Sequence, residues 1–326
     1  MSDDSRPSPS SRHPTAYHGR LWAITTYFNS AMNPWRRKNF ALFRASLGVP
    51  LIAVEHGYDG PFELGAEDAD IVIQLRGGDP MWQKERLLNL ALDALPDGCD
   101  AVAWVDCDVI FGRDDWPKLA LRALESARLV QLFHRVHYVK ESFADGMPNV
   151  EDTFLTRSSI PIGIERGFSP IAIFEDGNIN RYGRHTCGFA WAAPRAILES
   201  EGFYDTCIVG GGDRALAAAA LGCIDHVVAR HRMTPQHAAQ YRDWAGGFES
   251  AVGGAIASID CDLFHLWHGP YEKRQQRERY AKISPFDFDP TTDVALSDSG
   301  VWRWNSDKPA LHAVVRSHLA ARCGLE

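Results

Sequence analysis

Nowhere does the sequence carry an apolar run approaching the roughly 18 residues that a membrane helix requires, so no transmembrane segment is expected. Met1 to Arg20 is rich in Ser, Pro, Asp, Arg and His and lacks the apolar core of a signal peptide. It reads as a disordered lead over residues 1–19. Seven cysteines, an odd number, stand at 99, 107, 187, 207, 223, 261 and 323. They show neither paired metal spacing nor a disulfide framework. A reducing cytoplasm is the expected setting, with any membrane association peripheral and mediated by a partner or a surface patch. Basic charge is scarce as well: 34 Lys and Arg against 42 Asp and Glu leave a net charge of −8. That balance argues against a general nucleic-acid surface, while a local basic groove would survive the average. Internal repeats are absent. What is present is ordinary for a globular chain, 45% apolar and 23% charged over 326 residues, enough for one large α/β domain or two smaller ones.

Strand and helix patterns alternate through the first 133 residues. Leu21 to Phe28 reads as a strand, Pro34 to about Ser46 as a helix, and Pro50–Glu55 and Asp70–Leu75 as further strands. After the turn Arg76–Pro80 comes a helix with Leu88, Ala91, Leu92 and Leu95 on one face, stopped by Pro96. Ala101–Val105 forms a fourth strand, Asp114 or Asp115 caps a helix carrying Trp116, Leu119, Ala120 and Ala123, and Leu129–Phe133 is a fifth strand. Such alternation implies a mostly parallel, doubly wound sheet flanked by helices, with ligands beyond the strand carboxyl ends. From Glu141 to Asn180 the pattern dissolves into a long loop or an insertion with short strands. Beyond it lie an expected strand His185–Trp191, a helix Pro194–Ser200, an Ala-rich helix Asp213–Leu221 and a strand Ile256–Leu266. A charged helix Pro270–Lys282 and a segment with Trp302 and Trp304 complete the mixed second half.

Asp106-Cys107-Asp108 ends the strand Ala101–Val105, whose small, β-branched and aromatic residues suit burial on both faces. Two like charges there are costly, and a divalent cation such as Mg²⁺ or Mn²⁺ resolves the cost; two solvated or capping carboxylates are the competing reading. Asp213 follows Gly210-Gly211-Gly212 at a helix start, placed either to cap the helix or to take a proton from a hydroxyl. His265-Leu-Trp-His268-Gly269 closes a strand. A histidine pair at that spacing suits a ligand role, and His268, nearer the loop, is the better candidate. Lys84 and Arg86 open a helix and either meet phosphate or ribose or lie solvated. Thr25, Tyr27 and Asn29 end the first strand, where they hold a nucleobase or pack the core. Arg274, Arg277 and Lys282 either supply cations to a diphosphate when the final segment closes or form a solvated helical face, the better reading for most of them.

Taken together, Asp106-Cys107-Asp108, His185-Thr-Cys-Gly188-Phe189-Ala190-Trp191, Gly212-Asp213 and His265-Leu-Trp-His268-Gly resemble the GT-A-fold nucleotide-sugar glycosyltransferases, from about Leu21 to Tyr280. The resemblance implies a GT-A-like, Rossmann-like domain over 20–284, with a nucleotide-binding half 20–135, an acceptor half 136–284 and a C-terminal segment 285–326. It implies a metal-dependent hexosyl- or N-acetylhexosaminyltransferase that uses an NDP-sugar, a UDP-sugar first, and a glycan or other hydroxyl-bearing acceptor. Asp106, Asp108 and His268 would hold Mn²⁺ or Mg²⁺, Asp106 would also meet the nucleotide, and Asp213 would be the base of an inverting reaction. Gly188, Phe189, Trp191 and Gly212 would wall the sugar or acceptor. Many inverting members carry a Glu-Asp pair where this chain has Gly212-Asp213. An NDP-sugar-forming nucleotidyltransferase is an alternative, but Thr25–Asn33 lacks its Gly-rich phosphate loop. A non-catalytic nucleotide-sugar or glycan-binding protein is another.

Overall fold

The alternating first 133 residues supply five of the seven strands of a central sheet. A computed structural model describes residues 20–29, 32–58, 60–175, 185–270 and 278–323. β1 (Leu21–Tyr27), α1 (Pro34–Leu47), β2 (Leu51–Gly57), β3 (Ile71–Arg76), α2 (Lys84–Leu92) and β4 (Ala101–Val105) follow in order. β1 pairs parallel with β2 and β4, and β2 with β3. β5 (Val109–Phe111), α3 (Trp116–Leu124), β6 (Leu129–Gln131) and β7 (Arg135–Val139) come next, then β8 (Thr153–Ser159), α4 (Ile160–Glu165) and α5 (Pro170–Phe174). β9 (His185–Thr186), β10 (Ala190–Pro194), α6 (Arg195–Glu201), α7 (Gly212–Ala220), α8 (Ile224–Arg230), α9 (Pro235–Val252), β11 (Ile256–Ser258) and β12 (Asp262–His265) continue the second half. The last elements are α10 (Arg279–Ile283), α11 (Pro290–Asp293), β13 (Val294–Leu296), β14 (Trp302–Trp304) and α12 (Pro309–Cys323).

The main sheet has seven strands in the order β11-β6-β10-β4-β1-β2-β3, and only β10 runs against its neighbours. Because strand side chains alternate between faces, Leu21, Ala23 and Tyr27 pack with Phe40 and Phe43 of α1, while Ile24 packs with Leu87 and Leu88 of α2 on the other face. A second, five-stranded mixed sheet, β5-β12-β7-β8-β9, stands at the carboxyl ends of the first. The chain passes from one sheet to the other through Asp106-Cys107-Asp108, between β4 and β5. The mostly parallel α/β architecture is therefore as the sequence implies.

Several elements differ from expectation. Ile256–Leu266 is two strands in two sheets, β11 and β12, because the backbone turns where Cys261 N–H donates to the Ile259 carbonyl. His185–Trp191 splits likewise into β9 and the start of β10, with Phe189 at φ 84 between them. The 141–175 part of the irregular stretch holds β8, α4 and α5, and 176–180 lies outside the described residues. α8 and α9 had no expected counterpart. Asp115 occupies the cap position of α3, yet its carboxylate goes to Arg113 and not to the helix. Of the charged helix Pro270–Lys282, 271–277 lies outside the described residues, as does the 1–19 lead. Among the described residues no helix is long and apolar enough to cross a membrane.

The β13–β14 hairpin packs back onto the start of α2. Gln83, 3% exposed, donates through Nε2 to the Trp302 carbonyl (3.0 Å) and accepts from its N–H through Oε1 (2.6 Å). Arg86 donates to the Gly300 carbonyl (2.6 Å). Gln83→Ala strands the Trp302 N–H, while the Trp302 carbonyl keeps the Asp79 N–H (3.1 Å), so unfolding stability should fall by roughly 1–3 kcal/mol for the one group left unpaired. Limited proteolysis should then cut first around 294–304. Unchanged stability with unchanged protection there would show that Gln83 does not anchor the hairpin.

Candidate functional site

A cleft of about 230 Å³ opens beyond the carboxyl ends of β1 and β4. Its walls come from Thr26, Phe28 and Trp82 on one side, Gly188, Phe189 and Arg214 on another, and the carboxylates Asp106, Asp108 and Asp213. Asp106 and Asp108 follow the fully buried strand β4. Their backbones are fixed from both sheets: Asp106 N–H donates to Phe189 (2.7 Å), and the Asp108 carbonyl accepts from Leu266 (2.8 Å).

Asp108, His265 and His268 bring one carboxylate oxygen and two imidazole nitrogens within 4.8 Å of one another. β5 and β12 put them there, since Val109 is the register partner of His265. His268 Nε2 lies 3.4 Å from Asp108 Oδ2, and His265 Nε2 lies 3.7 Å from Oδ1. Oδ1 is buried and has no hydrogen-bond partner. A buried carboxylate oxygen left unpaired is costly, and a cation would satisfy it, so the donor set fits a divalent metal. Phe189 supplies one wall of this set: its ring lies 5.0 Å from that of His265 and 5.7 Å from that of Tyr138. Its positive φ, uncommon for a bulky residue, is the kind of strain found at sites.

Asp106 takes another partner. Lys84, 8% exposed, reaches from the first turn of α2 to Asp106 Oδ1 (2.6 Å) and Asp213 Oδ1 (2.9 Å). Burial alone would lower the Lys84 pKa, but the two carboxylates override it and push it up. Burial pushes the Asp106 carboxyl up to about 6, against the pull of Lys84. Glu85, beside Lys84 and bonded by Trp82 Nε1 (3.0 Å), is pushed up to about 7 by burial and by Asp213. The start of α7 closes over these groups. Gly211, at φ 112, is the cap residue, and no side chain caps the helix, so Asp213 sits inside the first turn rather than at the cap. A Cβ on Gly212 would collide with the buried Glu85 side chain, so the glycine permits this approach. Asp213 Oδ2 remains without a hydrogen-bond partner among the described residues and faces Gly188.

Of the residues singled out by sequence, Asp106, Asp108, Asp213, Lys84, Gly188, Phe189 and His268 all line the cleft. Others do not. Thr25 donates to the Val105 carbonyl and Tyr27 to Glu63, while Asn29 bonds Glu63 and Asn33, all in the buried interior. The strand's other face supplies Thr26 and Phe28 instead. Arg86 turns to Gly300 and Asp205, and Trp191 is buried with its Nε1 on the Cys187 carbonyl. Gly212 packs on Glu85 behind Asp213, and Asp106 stands outside the three-residue donor cluster because Lys84 takes it. Lys282 is exposed and away from the cleft, and Arg274 and Arg277 lie outside the described residues. Sequence reasoning ranked His265 below His268 and passed over Glu85, Arg214 and Arg279; the His-x-x-His spacing and the Asp213-Arg214 pair were the available signals.

No family model and no curated protein matches this chain. Among solved structures it is similar to glucosyl-3-phosphoglycerate synthase from Mycobacterium tuberculosis in complex with Mn²⁺, UDP and glucosyl-3-phosphoglycerate, at 14% identity over 88% of this chain and 87% of that one, with a TM-score of 0.39. It is similar to S. aureus TarS at 12% identity over 71% of each chain, TM-score 0.35. A mycobacterial protein shares 15% identity over 88% of this chain and 83% of that one, TM-score 0.40. Likeness at this level decides nothing about chemistry, which rests on the cleft's own residues.

Glu85 makes a pH prediction. Its carboxyl holds a proton more tightly in the folded chain than its ordinary value of 4.5 would allow. The stability it contributes is therefore complete below about pH 4.5 and is lost as pH rises towards about 7. Glu85→Gln keeps the neutral shape without the titration. Relative to wild type it should gain stability steadily in urea unfolding between about pH 5 and about pH 7.5. A difference that stays flat across that window would mean that Glu85 is ionised throughout.

Proposed function

We propose that the chain is a metal-dependent glycosyltransferase that moves a hexosyl or N-acetylhexosaminyl group from an NDP-sugar, a UDP-sugar first, to an acceptor hydroxyl with inversion. One observation carries this reading: a metal-suited donor set, Asp108 with His265 and His268, shares a single cleft with a carboxylate, Asp213, that keeps one oxygen open. The sequence resemblance points the same way. Bound at Asp108, His265 and His268, a divalent cation would supply charge neutralisation for a diphosphate leaving group. Two imidazoles beside one carboxylate suit Mn²⁺ better than Mg²⁺, which favours an all-oxygen shell.

The chain's own residues perform the rest. Phe28 and Trp82, edge to face at 5.2 Å, offer aromatic surface for a nucleobase. Lys84 fixes Asp106 and Asp213 relative to each other, so that Oδ2 of Asp213 is the oxygen left for the acceptor. As the acceptor oxygen attacks the anomeric carbon, its proton passes to Oδ2 and the bond from that carbon to the diphosphate oxygen breaks. A positioned base contributes about 10²–10⁴-fold to such a step.

Two experiments test this. Mn²⁺ titration should show that Asp108→Ala, His265→Ala and His268→Ala each lose at least about tenfold in metal affinity, since even outer-shell losses cost about 10–100-fold. Affinity should also fall on acidification, because protons compete for the imidazoles. A His265→Ala chain that binds Mn²⁺ normally would remove His265 from the set. In the second, hydrolysis and transfer are assayed with UDP-glucose, UDP-galactose, UDP-N-acetylglucosamine and GDP-mannose. Asp213→Asn should lose about 10²–10⁴-fold in turnover and keep donor binding. Its fold should survive because Asp106 still neutralises Lys84. Near-normal turnover of this variant, or a product that retains the donor's anomeric configuration, would sink the role given to Asp213.

A further inference from the structure

The cleft carries cations that neither the metal donor set nor the Lys84 clamp employs. Arg279, the first residue of α10, is 9% exposed and lines the cleft. Its Nε is buried without a hydrogen-bond partner. Its Nη2 lies 2.8 Å from where a Cβ on Gly211 would stand, so the glycine at the start of α7 lets the guanidinium press against that helix end. Arg214, in the first turn of α7 and next to Asp213, also lines the cleft; among the described residues its guanidinium donates through Nη1 to the Phe174 carbonyl (3.0 Å) and lies over the Phe174 ring. Both arginines lie close enough to His231 to help burial hold its imidazole well below the ordinary value. Among the described residues neither arginine is within ion-pair distance of a carboxylate; Asp106 and Asp213 are taken by Lys84.

A guanidinium that is nine-tenths buried without a counter-charge is expensive. Arg279 and the half-buried Arg214, beside the N-terminus of a nine-residue helix, are relieved only when an anion arrives. Their planar forks match the oxygens of a phosphate or a carboxylate. Both flank Asp213, where the acceptor hydroxyl has to lie, and neither belongs to the Asp108 donor set that would meet the donor's diphosphate.

We infer that the acceptor bears an anionic group, a phosphate or a carboxylate, which Arg214 and Arg279 hold at the start of α7 beside Asp213. This rests on the transfer reading above: the hydroxyl to be glycosylated and the anion belong to one small molecule, and the arginines set which hydroxyl reaches Oδ2. A neutral glycan would leave both cations unmet.

Inorganic phosphate is the probe, titrated calorimetrically into the full chain with and without saturating UDP and Mn²⁺. Phosphate should bind in both cases, its affinity changing less than about threefold when UDP is present. Arg279→Gln and Arg214→Gln should each weaken it by about tenfold or more, equivalent to about 1.4 kcal/mol. Arg214→Gln, at a less buried position, serves if Arg279→Gln does not fold. In turnover, phosphorylated or carboxylated polyols should accept sugar and uncharged glycans should not, and comparing the two classes identifies which anion is used. Displacement of phosphate by UDP would assign the arginines to the donor and overturn the proposal. So would equal phosphate binding by wild type and a folded variant, or no binding at all. Failure of the transfer reading is seen separately, as the absence of UDP–Mn²⁺ binding to wild type.

Discussion

A buried ammonium group holds three parts of this fold in one place. Lys84 rises from the first turn of α2, Asp106 ends β4, and Asp213 begins α7. Each carboxylate alone would repel the other in a site shielded from water, and Lys84 alone would be an uncompensated buried charge. Lys84 is the member the group cannot lose: without it both acids are stranded, a loss that typically costs about 3–5 kcal/mol, whereas without one acid the other still neutralises the ammonium. The arrangement also sets the electrostatics behind it. Burial, with the Asp213 carboxylate close by, pushes the Glu85 carboxyl up to about 7.

The junction of the two sheets supplies the other half of the site. Five buried residues of β4 deliver the chain to Asp106, and three residues later it is already part of the second sheet. Asp106 faces the helix α2 side and Asp108 faces the end of β12, so two acids only two residues apart serve different partners. Phe189 joins the two, its carbonyl taking the Asp106 N–H and its ring packing on His265. The carboxylate clamp and the metal-suited set are thus held in register by one strained residue between β9 and β10.

The legible part of this structure was local. Hydrophobic periodicity placed β1, α1, β2, β3, α2 and β4 to within a few residues, and the acid pair at the end of an apolar strand pointed to the cleft. Which face of β1 would meet that cleft was not readable: Thr25 and Tyr27 differ from Thr26 and Phe28 only in parity, and the sheet's twist and neighbours decide the matter. The antiparallel entry of β10 between β4 and β6 is a tertiary choice, invisible in a run of alanines and a tryptophan. α9 escaped because its buried His237, Tyr241 and Phe248 are interleaved with glutamine, arginine and two glycines, which blur the helical stripe. The partner of Lys84 is 129 residues away at Asp213, so a lysine that looked available for phosphate is spent within the protein. His265 ranked second because a straight strand would turn it away from His268; the chain leaves β12 at His265, and both rings come to face Asp108.

The β13–β14 hairpin gives the assembly a sequence in time. Its bonds to Gln83 span 219 residues, among the longest separations in the chain, and closing so large a loop is slow compared with pairing β1, β2 and β4. During synthesis the central sheet can therefore form well before the turn of α2 that carries Lys84 is pinned from outside. Until the hairpin docks, the start of α2 keeps its bond from the Trp82 N–H to the Ile208 carbonyl but lacks the Gln83 and Arg86 ties to Trp302 and Gly300. The outer brace of the turn that carries Lys84 is thus among the later parts of the chain to be made, and the cleft's own walls precede it.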